Sequence, residues 1–152
     1  MSEGKRPGGL TALAVINFVF TGFSLISILG LAAITALIGM VPTDKMEPAQ
    51  KAQIEALQSI GTGVYLIILV LTLISAVLLL LSGIGYLKQK KVMGWCLGNT
   101  YAVISIVGST VMSFYFPTEL GGGFSIGRII DLIYPILTLV LLNTTFKDDL
   151  TN

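Results

Sequence analysis

The stretch IGTGVYLIILVLTLISAVLLLLSGIGYL, Ile60 to Leu87, decides the fold class. It carries no charge, and beyond apolar residues and glycine it holds only Thr, Ser and Tyr. An α-helix rises about 1.5 Å per residue, so roughly 20 such residues cross the ~30 Å hydrocarbon core of a bilayer. A helix satisfies its backbone N–H and C=O groups within its own segment, which lipid demands and an open strand cannot do. The stretch reads as a membrane-spanning helix. The basic run Lys-Gln-Lys-Lys, Lys88 to Lys91, marks where it leaves the membrane.

Composition extends this reading to the whole chain. The 152 residues are 54% apolar and 11% charged, whereas soluble domains carry about 25% charged residues. One domain, 1–152, is expected, with spans at about 9–41, 60–87, 92–116 and 125–146. Outer loops take 42–59 and 117–124, and a cytoplasmic linker takes 88–91. Short connections favour up-down neighbours. The fold class is therefore all-α, an integral membrane antiparallel four-helix bundle with a short amphipathic helix in the first outer loop. The first apolar run follows Lys5 and Arg6 but far exceeds the roughly 7–15 residues of a signal peptide, so it reads as an uncleaved anchor. Tilt or a protruding end absorbs its excess length.

Lys and Arg concentrate on cytoplasmic loops. One side has Lys5, Arg6, Lys88, Lys90, Lys91 and Lys147; the other has Lys45, Lys51 and Arg128. That bias places both termini in the cytoplasm. The same lysines offer contact to anionic head groups.

The net charge of +1 gives no field for nucleic acid. The chain has no His and one Cys, Cys96. This leaves no basis for a zinc or haem site, or for Ser–His or Cys–His catalysis. No cofactor, no metal and no enzymatic activity are expected, since no nucleophile–base pair is present.

In the first outer loop, PTDKMEPAQKAQIEALQSIGTG from Pro42 to Gly63, the middle is rich in helix formers. Thr43 or Asp44 is expected to cap it, with Glu47 and Pro48 in its first turn. Ile54, Leu57 and Ile60 fall on one face, suited to the bundle top, the bilayer or a partner. The second outer loop, from Pro117, contains Gly121 to Gly123, a flexible turn with no phosphate-binding pattern.

Small residues let helices approach closely in lipid. Gly94, Gly98 and Ala102 form such a stripe, able to seat a helix of this chain or of another subunit. Cys96 reads as a small buried residue and Trp95 as part of an aromatic belt. Three spans carry an Asn. Asn17 lies about 12 Å past Gly9, Asn99 about 12 Å past Lys91, and Asn143 about 6 Å before Lys147. All three fall in the cytoplasmic half, where an amide needs a partner. Asn17 and Asn99 are expected to bond across helices, with Asn143 nearer the interface. A small polar site open to the cytoplasm is the functional alternative.

The segment GRIIDLIYPIL, Gly127 to Leu137, holds Arg128 and Asp131 in the last apolar run. Arg128 falls at the outer edge, with Asp131 about 5 Å deeper on the same face. Pro135 removes the helical partner of the Asp131 carbonyl, and Tyr134 is one turn from Asp131. Arg128, Asp131 and Tyr134 form the candidate polar site. It is either a self-neutralising interfacial pair beside a kink or a site for an ion, proton or ligand. Glu119 is a further partner for Arg128.

The opening KRPGGLTALAVINFVFTG and the block GYLKQKKVMGWCLGNTYAVISI resemble small, uncharacterised four-span membrane proteins of bacteria. The resemblance implies a bacterial inner-membrane setting and no particular activity. Small multidrug transporters differ in having an acidic residue in the first span, and claudin-like tetraspans in having Trp and Cys in an outer loop. The leading expectation is a non-enzymatic accessory or scaffold subunit, its partners being the lipid bilayer and other membrane proteins or itself. The alternative is a small transporter or channel component using Arg128, Asp131 and Tyr134.

Overall fold

The computed structural model describes residues 8–42, 46–115 and 126–150. Lys5, Arg6, Thr43, Asp44, Lys45 and the loop 117–124 with Glu119 lie outside the described residues. So do the side chains of Tyr115, Ile126, Arg128 and Ile130.

The described chain is all-α. Helix α1 runs Gly8–Leu37 and continues into a 3₁₀ turn, Ile38–Met40. Helix α2 spans Pro48–Ser59, α3 Thr62–Leu87, α4 Leu97–Tyr115 and α5 Ile126–Thr144. A π-helical turn, Lys91–Cys96, leads into α4. Three stretches are long and apolar enough to cross a membrane: Gly8–Met40, Thr62–Leu87 and Lys91–Phe114. Among the described residues α5 adds a shorter apolar stretch, Asp131–Thr144.

Hydroxyls inside these helices find partners locally. Thr35, Thr72, Thr110 and Thr144 each donate to the carbonyl four residues back, at 2.7–2.8 Å. Such back-bonding satisfies a hydroxyl without a second helix. The few polar side chains that do cross between helices therefore stand out.

Helix α2 starts later than the sequence suggests. Its N-cap is Glu47, with extended backbone at ψ 147°, and Pro48 takes the first helical position. A proline pushes the residue before it out of the helical region, so the helix cannot begin upstream. The Gln58 amide donates to the Ile38 carbonyl at 2.9 Å, and the Tyr65 hydroxyl to the Leu57 carbonyl at 2.7 Å. These bonds tie α2 to the end of α1 and the start of α3.

The chain reverses after α3 through Lys88–Lys90. Lys90 N–H bonds the Gly85 carbonyl at 3.0 Å and Gln89 N–H bonds the Tyr86 carbonyl at 3.3 Å. Gln89 is left-handed, at φ 52°. This is a Schellman cap, satisfying carbonyls that the helix end leaves open. The reversal brings Gly85 directly against the backbone of Met93 and Gly94.

Helix α1 packs chiefly on α3, and α4 on both α3 and α5. The apolar core gathers at the Lys88–Lys91 end: Leu10, Leu13 and Ala14 of α1, Tyr86 of α3, and Leu142, Phe146 and Leu150 from α5 and the turn beyond it. The tail folds back so that Phe146 lies on Gly9 and Leu150 packs under Gly94. Beyond Thr21, α1 has no buried residue. The helices are closed at one end and looser at the other.

Gly85 offers the sharpest test. A Cβ there meets backbone, which cannot rotate away. Gly85→Ala is expected to destabilise the protein by about 1–3 kcal/mol, as overpacking does. Denaturant unfolding in detergent micelles measures this, and an unchanged midpoint refutes the close approach.

Candidate functional site

Asn17 is 1% exposed on α1. Its amide donates to Ser82 Oγ at 2.7 Å and to the Leu79 carbonyl at 3.2 Å, both on α3. Its Oδ1 accepts from the Tyr134 hydroxyl of α5. One amide thus joins three helices. Gly83 allows this, since a Cβ there would lie 3.2 Å from Asn17 Cβ and 3.0 Å from the Phe18 ring. Tyr134 is also held by rings, with its centroid 4.7 Å from Phe20 of α1 and 6.3 Å from Tyr101 of α4.

Two hydroxyls beside this group are fully buried without a hydrogen-bond partner among the described residues, those of Tyr86 and Thr138. Tyr86 follows Ser82 by one turn, and its hydroxyl lies on Gly98. Thr138 follows Tyr134 by one turn. Polar groups of α1, α3 and α5 therefore converge, with the Tyr86 hydroxyl seated on Gly98 of α4.

The stripe Gly94, Gly98 and Ala102 faces inward and is filled by this chain. A Cβ on Gly94 would stand 3.0 Å from Leu150 and 3.2 Å from Tyr86, and Gly98 meets Tyr86 and Leu142. Ala102 is 0% exposed. Cys96 is exposed rather than buried. It lies two residues from each glycine, about 200° round the helix, so it points outward when they point inward. Trp95 packs against the core instead of standing free in a belt, and its buried indole N–H has no partner among the described residues.

Asn143 donates to Asn99 Oδ1 at 2.6 Å and to the Leu139 carbonyl at 2.7 Å. Asn99 donates to the Trp95 carbonyl at 2.9 Å. This second amide pair links α4 to α5 near the basic end, with Asn143 exposed.

On the looser side a cavity of about 440 Å³ opens between α1, α3, α4 and α5. Tyr101 and Tyr134 line it together with Phe20. Polar rungs come from Thr72 and Ser75 of α3 and Ser105 of α4. Asp131 and the buried Pro135 complete it from α5. Asp131 is exposed and belongs to this cavity, whereas the Tyr134 hydroxyl is engaged by Asn17. Arg128 lies on the same helix, and its side chain is outside the described residues. The three residues grouped in the sequence thus divide: Tyr134 stands between the cavity and the Asn17 group, and Asp131 lines the cavity.

Sequence reasoning passed over Tyr101, Ser105 and Thr72. One signal was present for α4, because Tyr101, Ser105, Gly108 and Met112 recur at helical spacing as a mixed polar stripe. Among the described residues no three His, Cys, Asp or Glu side chains gather as metal ligands. No protein-family model, curated protein or solved structure matches the chain.

Asn17→Ala removes a donor to two acceptors and the acceptor for Tyr134. With interhelical bonds worth about 0.6–2 kcal/mol, the expected loss is about 1–3 kcal/mol. Tyr134→Phe is expected to lose less, about 1 kcal/mol, and the two losses to be less than additive in denaturant unfolding. Full additivity would refute their coupling.

Proposed function

We propose that this multi-pass membrane protein is non-enzymatic and binds a small amphipathic solute in the cavity between α1, α3, α4 and α5, as a small transporter or channel component does. The observation that carries this is the lining itself. Ligand sites are concave, mostly apolar and about 300–1,000 Å³, with a few converging polar groups. The cavity of about 440 Å³ with Asp131, Thr72 and two tyrosines has that character. In this reading α5 completes a fourth crossing. Its 19 residues reach about 28 Å, close to the hydrocarbon thickness. The basic Lys88–Lys91 side faces the cytoplasm with both termini, and the resemblance to bacterial four-span proteins favours the inner membrane.

Gly108 lines the cavity, and a Cβ there meets nothing within 4 Å. Gly108→Leu therefore adds bulk to the lining with no clash at its Cβ. Purified protein in lipid nanodiscs is expected to bind one small amphiphile per chain, and Gly108→Leu to abolish that binding. Equal binding by both proteins would place the solute elsewhere and sink the proposal.

An accessory or scaffold role is the second reading. The stripe that first suggested it is filled from within. A Cβ added at Gly22 or Gly30 of α1, however, meets nothing within 4 Å, which leaves room for another helix. Purification in mild detergent at native expression, with mass analysis, tests it. Recovery of the chain alone as a monomer counts against this role.

A further inference from the structure

We infer that the solute is an organic monocation, an amine or quaternary ammonium on a small apolar group. This rests on the cavity reading above and goes further by fixing the ligand's charge. Hydrogen-bond polarity decides the sign. Thr72 has committed its hydroxyl proton to the Ile68 carbonyl at 2.8 Å, so only its lone pairs face the cavity. The Tyr134 hydroxyl is turned to Asn17, so this residue gives the cavity its ring. An ionised carboxylate accepts and never donates, and Asp131 is the charged side chain among the described lining residues. No described Lys or Arg lines the cavity. The Asp131 carboxylate beside the Thr72 lone pairs, with no cationic side chain among the described lining residues, repels an anion and gives a neutral solute no charge partner. A cation carrying N–H groups, or a quaternary centre with its positive surface, meets both.

The rings add to this preference. Tyr101 and Tyr134 line the cavity with centroids 6.3 Å apart. Aromatic faces attract cations, and do so more strongly when water is excluded. The remaining lining from Phe20, Ile68, Leu71 and Pro135 receives an apolar group. Asp131 stands five residues into α5, about 8 Å from its start. An ammonium held there stays near the interface, where its charge is least opposed.

The test compares phenethylammonium with 2-phenylethanol, its neutral counterpart of nearly equal shape. Binding is measured by equilibrium dialysis on protein in phosphatidylcholine nanodiscs, with empty discs subtracted. The wild-type chain is expected to favour the ammonium by about tenfold or more, and Asp131→Asn to bring the ratio of ammonium to alcohol binding to about one. Asp131→Glu is expected to retain the preference. An Asn variant that still holds the ammonium as tightly as wild type overturns the cation assignment, while alcohol binding that Gly108→Leu abolishes leaves the cavity reading standing. Wild-type protein that binds neither compound overturns both. If Asp131→Asn loses the alcohol too, Asp131→Glu decides: retention of the preference supports the assignment and its loss overturns it.

Discussion

One amide organises the helices. Within lipid a primary amide has no water to turn to, and Asn17 finds its partners on α3 and α5. Ser82 reinforces the arrangement by donating to the same Leu79 carbonyl, at 3.1 Å. These bonds fix rotation and depth together, because a slip of α1 by one residue would carry the amide about 100° away from both partners. Apolar packing in lipid supplies little of that specificity, since lipid tails are as apolar as the leucines they would replace.

The glycines act at the other scale, setting distance. Gly85 lets α3 touch the π-helical turn through backbone, Gly98 receives the Tyr86 hydroxyl, and Gly9 receives Phe146. All three work at the Lys88–Lys91 end, where the core is densest. Away from that end the cavity lies between α1, α3, α4 and α5, and a Cβ on its glycine, Gly108, meets nothing within 4 Å.

The long helices were legible because an uncharged apolar run has few alternatives in a bilayer. The rotation of each helix was not. Runs such as Leu66 to Leu81 are apolar nearly all round, with Thr72 and Ser75 as their only polar residues, and show little face to read. Asn17 declared its depth through its distance from Gly9, but its partners depend on how α3 and α5 turn. The cap at Gln89 was hidden because glycine is the usual residue in that conformation. The grouping of Arg128, Asp131 and Tyr134 rested on spacing along one helix. It missed that Phe20 and Asn17, far away in sequence, hold the Tyr134 ring and hydroxyl. Leu150 was passed over because burial of a tail beyond the last apolar run leaves no periodic signal.

The π-helical turn at Lys91–Cys96 carries a consequence for α4. On one side of it the Schellman cap pins the chain; on the other, Gly98 must meet the Tyr86 hydroxyl. A regular α-helical path would arrive at that meeting rotated, with each residue of mismatch worth roughly 100°. The wider turn takes up the difference, as a vernier reconciles two scales that do not share a division. The identity of the residues facing the cavity along α4, from Tyr101 to Met112, is accordingly set at the opposite end of the helix, by a turn that touches none of them.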